Sequence, residues 1–185
     1  PCDDKALVLR QELGDSLKAR GLPTAEHCIV VSIDQQKLWF FGGEVVREYV
    51  VSTARVGVGC VADSLRTPPG LHRVAEKIGA DAPPGMVFKA RVPTGRIWTE
   101  GTAPEDNLIT TRILWLEGLE PGHNQGQDSQ GRVVDTRRRF VYIHGTNQAE
   151  MLGRPNSHGC VLLSDADVIR LYDRVPTGTK VLIRD

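Results

Sequence analysis

Cys28-Ile29-Val30-Val31-Ser32-Ile33, the pair Gln35-Gln36, then Lys37-Leu38-Trp39-Phe40-Phe41 closed by Gly42-Gly43 is the stretch from which the fold is read. Both apolar runs are short and rich in β-branched or aromatic residues, and turn residues bound them, which is the pattern of a hairpin. Glu44 to Thr53 reads as a third strand. Three strands on short connections predict an antiparallel meander and an all-β core. Further strands are expected at 71–77, Met86–Lys89, Arg96–Thr99, Ile109–Glu117, Tyr142–His144 and Lys180–Ile183, with Ile109–Glu117 the strongest. Upstream, Leu9, Leu13 and Leu17 recur every four residues, and Gly21 and Pro23 follow, so residues 3–20 read as a helix. Its stripe is narrow, which predicts an extension (residues 1–27) docked on the main domain (28–185) rather than an independent unit. A second helix is expected from Ser164 to Arg174, entered through Ser164-Asp165-Ala166-Asp167.

At 185 residues the chain suits one domain with room for an appended element. Lys+Arg and Asp+Glu are both 23, so nothing in the balance calls for nucleic acid or an anionic membrane as partner. No apolar run has the length of a membrane span. The opening Pro1-Cys2-Asp3-Asp4 does not read as an export leader, and that is no argument for the cytoplasm. The four cysteines contain no C-x-x-C pair. Cys2 and Cys28 flank the first helix and would pair in an oxidising compartment, free buried thiols being the alternative. Cys60 fits either a core or a place near the site.

The chemistry concentrates in Ser157-His158-Gly159-Cys160 and Val141-Tyr142-Ile143-His144-Gly145-Thr146. A thiol needs an imidazole, cation or helix N-terminus to act as a nucleophile near neutral pH. A histidine at the end of a strand and a cysteine returning on a Gly/Pro/Asn-marked loop have the means to meet in space. Gly159 permits close backbone approach, so its N–H and that of Cys160 form a candidate oxyanion hole. Ser157 reads equally as a loop-capping hydroxyl or a substrate contact.

These residues resemble the catalytic signature of the YkuD-type L,D-transpeptidases: His144-Gly145, a loop, then Ser157-His158-Gly159-Cys160-Val161. Thr67-Pro68-Pro69-Gly70 after Val50-Val51-Ser52-Thr53 resembles a second family motif, and Ile29 to Leu38 its first hairpin, so the resemblance spans about residues 28–184. It implies the family's catalytic fold, mainly β and an antiparallel β-sandwich or β-barrel-like domain with a few short helices, with Cys160 as nucleophile held ionised by the general base His144. Gly145 or Thr146 would orient that base, and His158 would buttress the loop or donate to substrate. Arg154 is carried as a further substrate-binding candidate. One departure stands out: Leu162 occupies a position where the family commonly has Arg or Asn. If that side chain holds a substrate carboxylate, another group must do so here, and Arg137-Arg138-Arg139 is the candidate unless it is only a solvated edge. The polar loop 118–131 is expected beside the cleft.

The resemblance further implies acyl transfer from a peptidoglycan stem peptide through a thioester to an amine, in cross-linking or protein attachment, without cofactor or metal. It also implies inhibition by carbapenem-type β-lactams, a role in cell-wall biogenesis and cell shape, and a place in the cell envelope, periplasmic or extracellular. Water as acceptor would make the chain an L,D-carboxypeptidase. Two readings of other classes compete: a zinc site from His158, Cys160 and His144 with Cys60, His123 or His72, and a wall-binding module that keeps the fold without catalysis.

Overall fold

The structure, a computed structural model, describes residues 4–102 and 105–185. The strands are β1 (His27–Ser32), β2 (Lys37–Gly42), β3 (Val45–Val50), β4 (Gly70–Ile78), β5 (Met86–Lys89), β6 (Val92–Ile97), β7 (Ile109–Gly118), β8 (Tyr142–Gly145), β9 (Val161–Leu163) and β10 (Lys180–Arg184). They form one mainly antiparallel sheet in the order β3-β2-β1-β10-β4-β7-β5-β6, with β8 on β7 and β9 on β8. Beyond β3, Ser52 bridges to Leu162 of β9, so the sheet curls until its far ends touch. The mainly β, barrel-like expectation holds, and the meander β1–β2–β3 is antiparallel as read. Two pairings are parallel, β1 with β10 and β8 with β9. Each joins segments far apart in sequence, which no local turn signal announces.

The curl encloses one core. Ile29, Val31, Leu38, Phe40, Val181 and Ile183 from one side meet Leu114, Ile143, Val161 and Leu163 from the other, with Val168, Leu171 and Tyr172 of helix α2 (Asp165–Arg174). The alternate residues Cys28, Val30, Trp39, Phe41 and Leu182 point away from that core and are covered by Ala6, Leu9, Leu13 and Leu17 of helix α1 (Asp4–Ala19). Both faces of β1 and β2 are therefore buried, which is why these strands read as unbroken apolar runs. Helix α1 ends on Gly21 (φ 66°), with Leu22 N–H donating to Leu17 O, the left-handed exit a glycine permits. Cys28 is buried and has no disulfide partner among the described residues; its suggested partner Cys2 lies outside them, as does the first residue of the expected helix. Ser164 caps α2 by accepting from Asp167 N–H at 3.1 Å.

Candidate active site

Strands β8 and β9 pair in parallel register, Ile143 opposite Val161 and His144 opposite Leu162. Ile143 and Val161 face the enclosed core, so the period of two turns Tyr142, His144 and Cys160 to the other face. Cys160 sits one step before β9 and packs there with Tyr142, Ile113 and Trp115. The strand histidine and the loop cysteine thus lie toward one face of neighbouring strands.

His144 is buried, and its Nδ1 lies 2.6 Å from the carbonyl of Gly145. A carbonyl only accepts, so Nδ1 carries the proton and Nε2 keeps its lone pair. Burial pushes the imidazole pKa down to about 4, against a smaller opposing effect of that carbonyl, so the ring is neutral near pH 7. The Cys160 thiol donates to Phe140 O at 3.6 Å and accepts from Tyr142 N–H at 3.3 Å. Burial pushes it up to about 11, although the Tyr142 N–H and the Arg139 guanidinium pull the other way. The sequence reading expects a standing thiolate; desolvation works against it here, since it disfavours the charged form of each group.

Around the pair, the motifs found in sequence converge. Thr67 Oγ1 accepts from Ala54 N–H (2.9 Å) and donates to Gly159 O (3.0 Å), tying the Thr-Pro-Pro-Gly segment to both the Val-Ser-Thr run and the cysteine loop. Ala54 also bridges to Ser157. Ser157 Oγ donates to Cys160 O (2.6 Å) and accepts from Gly159 N–H (3.2 Å), closing the turn before the sulfur. Gly159 has φ 128°, and a Cβ there would press on Arg66 O at 3.2 Å. At Gly145 a Cβ would lie 2.6 Å from Thr110 O and 2.7 Å from Asp165 Oδ1. The backbone that orients His144 can pack against β7 and α2 only as glycine.

Thr146 is buried and its hydroxyl accepts from Gln148 N–H at 3.0 Å, so among the described groups it is Gly145 O that meets the imidazole. His158 and Arg154 are exposed; His158 borders a depression beside the cysteine, while Arg154 is on the connecting loop. Leu162 is buried opposite His144. The three arginines part ways. Arg137 stacks over Trp115 and pairs with Glu76, Arg138 is exposed, and Arg139 reaches in toward Gly159. The loop 118–131 is pinned by Asn124 Nδ2, which donates to Leu71 O at 2.9 Å; the depression that His158 borders is lined by Val133, Arg138, Arg139 and Phe140.

Cys60 lies 4.0 Å from His123 Nε2, and His72 is buried against Thr136 Oγ1 and Gly70 O. Among the described residues no three His, Cys, Asp or Glu side chains are grouped to hold a metal ion, so the zinc set is not assembled. The sequence reading missed the aromatic wall. Trp115 and Tyr142 meet edge to face at 5.7 Å, Arg91 lies over Trp115 and Phe140, and Arg91 Nη1 donates to Tyr142 Oη at 3.0 Å. Its only sequence signal was the β-type composition of the two strands.

Fold and site define a curled β domain that presents a cysteine and a carbonyl-oriented histidine on one face of paired strands. The family model for the YkuD L,D-transpeptidase catalytic domain matches residues 26–183, and the chain belongs to that enzyme family. It is 40% identical over 107 residues to the putative L,D-transpeptidase YqjB of Bacillus subtilis (51% of this chain, 57% of that protein). It is 46% identical over 92 residues to the putative L,D-transpeptidase YkuD of the same organism, half of each chain. Over 47 residues it is 45% identical to the probable L,D-transpeptidase YbiS of Escherichia coli, 25% of this chain and 15% of that one. The matches thus span about half or less of these relatives. Among solved structures, an L,D-transpeptidase from Mycobacterium smegmatis aligns at TM-score 0.51 and 20% identity, covering 89% of this chain and 61% of that one. L,D-transpeptidase 3 from Mycobacterium tuberculosis, in complex with a faropenem-derived adduct, aligns at TM-score 0.53 and 17% identity, over 86% and 60%. These two likenesses concern the fold.

Proposed function

We propose that the chain is a cysteine-dependent acyltransferase of peptidoglycan stem peptides, with Cys160 as nucleophile and His144 as base. The observation that carries this reading is the placement of both side chains on one face of β8 and β9, with His144 Nδ1 fixed on Gly145 O. His144 Nε2 takes the thiol proton as the sulfur attacks the carbonyl of the third stem residue, since neither group is charged beforehand. The Cys160 N–H stabilises the resulting oxyanion; the Gly159 N–H is engaged by Ser157 Oγ. Collapse breaks the C–N bond, His144 returns the proton to the departing amine of the terminal D-amino acid, and a thioester remains. An acceptor amine then attacks the thioester, losing its proton to His144, and the thiol is restored. In this reading His158 is a candidate donor to substrate, and Arg154 and Thr146 remain candidate substrate contacts. Residues 1–27 serve as an extension docked on the catalytic domain 28–185. The reading places the protein in the cell envelope and makes carbapenem-type β-lactams its covalent inhibitors. No helix of the described residues is long and apolar enough to cross a membrane.

Mass spectrometry of defined tetrapeptide muropeptides incubated with wild type and Cys160→Ala tests it. Dimers formed by the wild type alone are expected. Tripeptides without dimers would make water the acceptor, and unimpaired turnover by Cys160→Ala would reject the mechanism. His144→Ala should lower turnover by about a hundredfold or more through loss of the base.

A further inference from the structure

Leu162 is buried and apolar, and a cation approaches the cysteine turn from another direction. Arg139 enters from the segment before β8. Its Nη1 donates to Gly59 O (3.2 Å), and its Nη2 to Arg66 O (2.7 Å) and Ser64 Oγ (3.4 Å). All three acceptors are uncharged. Among the described residues no carboxylate lies within ion-pair distance of it, and five N–H donors are not exhausted by three bonds. A half-buried guanidinium fixed by backbone carbonyls without a counter-ion has paid its desolvation cost without the compensating pair, and an anionic ligand would supply one.

Its position relative to the sulfur narrows the ligand. Arg139 Nη2 is 3.9 Å from the point where a Cβ on Gly159 would sit, one residue before the nucleophile. Together with Arg138 and His158 it borders a depression of about 320 Å³ that also takes in Phe140, whose carbonyl receives the Cys160 thiol. Asp63 is on the same rim, outside ion-pair distance of Arg139, so the two arginines keep the depression cationic. In a donor peptide cleaved one residue from its end, the terminal carboxylate lies about one residue length, roughly 4 Å, from the carbonyl under attack. A side chain that holds it must stand beside the cysteine turn, as Arg139 does.

We propose that Arg139 binds the C-terminal carboxylate of the donor peptide. The inference rests on the reading of the chain as a stem-peptide acyltransferase. Its test is therefore one of binding and not of turnover. Calorimetric titration of the Cys160→Ala protein uses a tetrapeptide stem with a free terminal carboxylate and the same peptide as its carboxamide. The amide should bind about tenfold more weakly or worse, as expected for loss of a charge-assisted contact. Adding Arg139→Gln should weaken the carboxylate ligand to the level of the amide and leave the amide unchanged, while Arg139→Lys should recover part of the difference. Equal affinity for the two ligands with Arg139 intact overturns the proposal without any change at Arg139, so misfolding of a variant cannot obscure the answer. Equal weakening of both ligands by Arg139→Gln, or no binding of either ligand, overturns it as well. Failure of the acyltransferase reading registers elsewhere, as absence of wild-type turnover of the same tetrapeptide by mass spectrometry.

Discussion

At Cys160 and His144, burial acts on both partners of a proton transfer, raising the thiol to about 11 and lowering the imidazole to about 4. An acid and a base pushed apart in this way both favour their neutral forms near pH 7, and on the proposed mechanism the nucleophile forms as the substrate arrives. Alkylation of Cys160 by iodoacetamide, followed peptide by peptide, should therefore keep rising from about pH 7 to about pH 10, because the unassisted thiolate fraction grows tenfold per pH unit below its pKa. A plateau already reached by neutral pH would mean a preformed thiolate and sink this account. The neighbouring glycine is tied to the same chemistry. Gly145→Ala would drive a methyl group into Thr110 O and Asp165 Oδ1, both backed by β7 and α2. We expect a loss of about 1–3 kcal/mol in urea unfolding from such overpacking, together with a fall in kcat as the carbonyl on His144 Nδ1 shifts.

Among the elements, the site is held by connections between segments more than by its own strands. Thr67 is the clearest of them, since one hydroxyl joins the Ala54 N–H to the Gly159 carbonyl. Thr67→Val keeps the shape and removes both bonds, leaving a buried N–H without a partner. The expected cost is about 1–3 kcal/mol, with a drop in kcat larger than any change in KM as the cysteine turn loosens. A bulge in β7 acts on the opposite side. The register between β7 and β8 shifts between Thr110 and Ile113, and Thr111 takes φ 72°, a strained value for a β-branched residue. That geometry lets the hydroxyls of Thr110 and Thr111 both donate to Asp165 Oδ1, at 2.7 and 2.5 Å, beneath Gly145. Helix α1 lies on the far face of the sheet, away from this apparatus. Leu13→Ala should therefore cost about 2–5 kcal/mol in urea unfolding while leaving kcat/KM unchanged.

For the whole molecule, two histidines buried as neutral rings set the acid limit. His72 and His144 are each lowered to about 4 by desolvation, while an unfolded histidine titrates near 6.5. Between these values the unfolded chain binds protons that these two folded rings refuse, so their contribution to stability is full above about pH 6.5 and is lost as pH drops toward about 4. Unfolding at pH 5 should take up roughly two protons from these rings, read from the pH slope of the unfolding free energy. A flat profile between pH 6.5 and 4 would show that one or both rings accept a proton in the folded state. The same global geometry closes the sheet: Ser52 meets Leu162 only because β8 and β9 fold back over the core that β1, β2 and β10 build.

The chain's local chemistry was enough to read the two helices, the meander of β1–β3 and the residues that converge on the cysteine. Leu9, Leu13 and Leu17 carry a helical period, Val30 and Trp39 belong to short β-type apolar runs, and Gly159 stands where backbone passes closely. Those signals depend on neighbours in sequence, and neighbours in sequence are what a pattern records. The parallel pairings, the neutral resting state of Cys160 and His144, the selection of Gly145 O over the Thr146 hydroxyl and the separate fates of Arg137, Arg138 and Arg139 were decided only in three dimensions. Each depends on burial and on contacts across long sequence separations, such as those of Arg139 with Gly59 and Arg66. Desolvation and long-range packing are properties of the assembled chain, not of any one stretch of it.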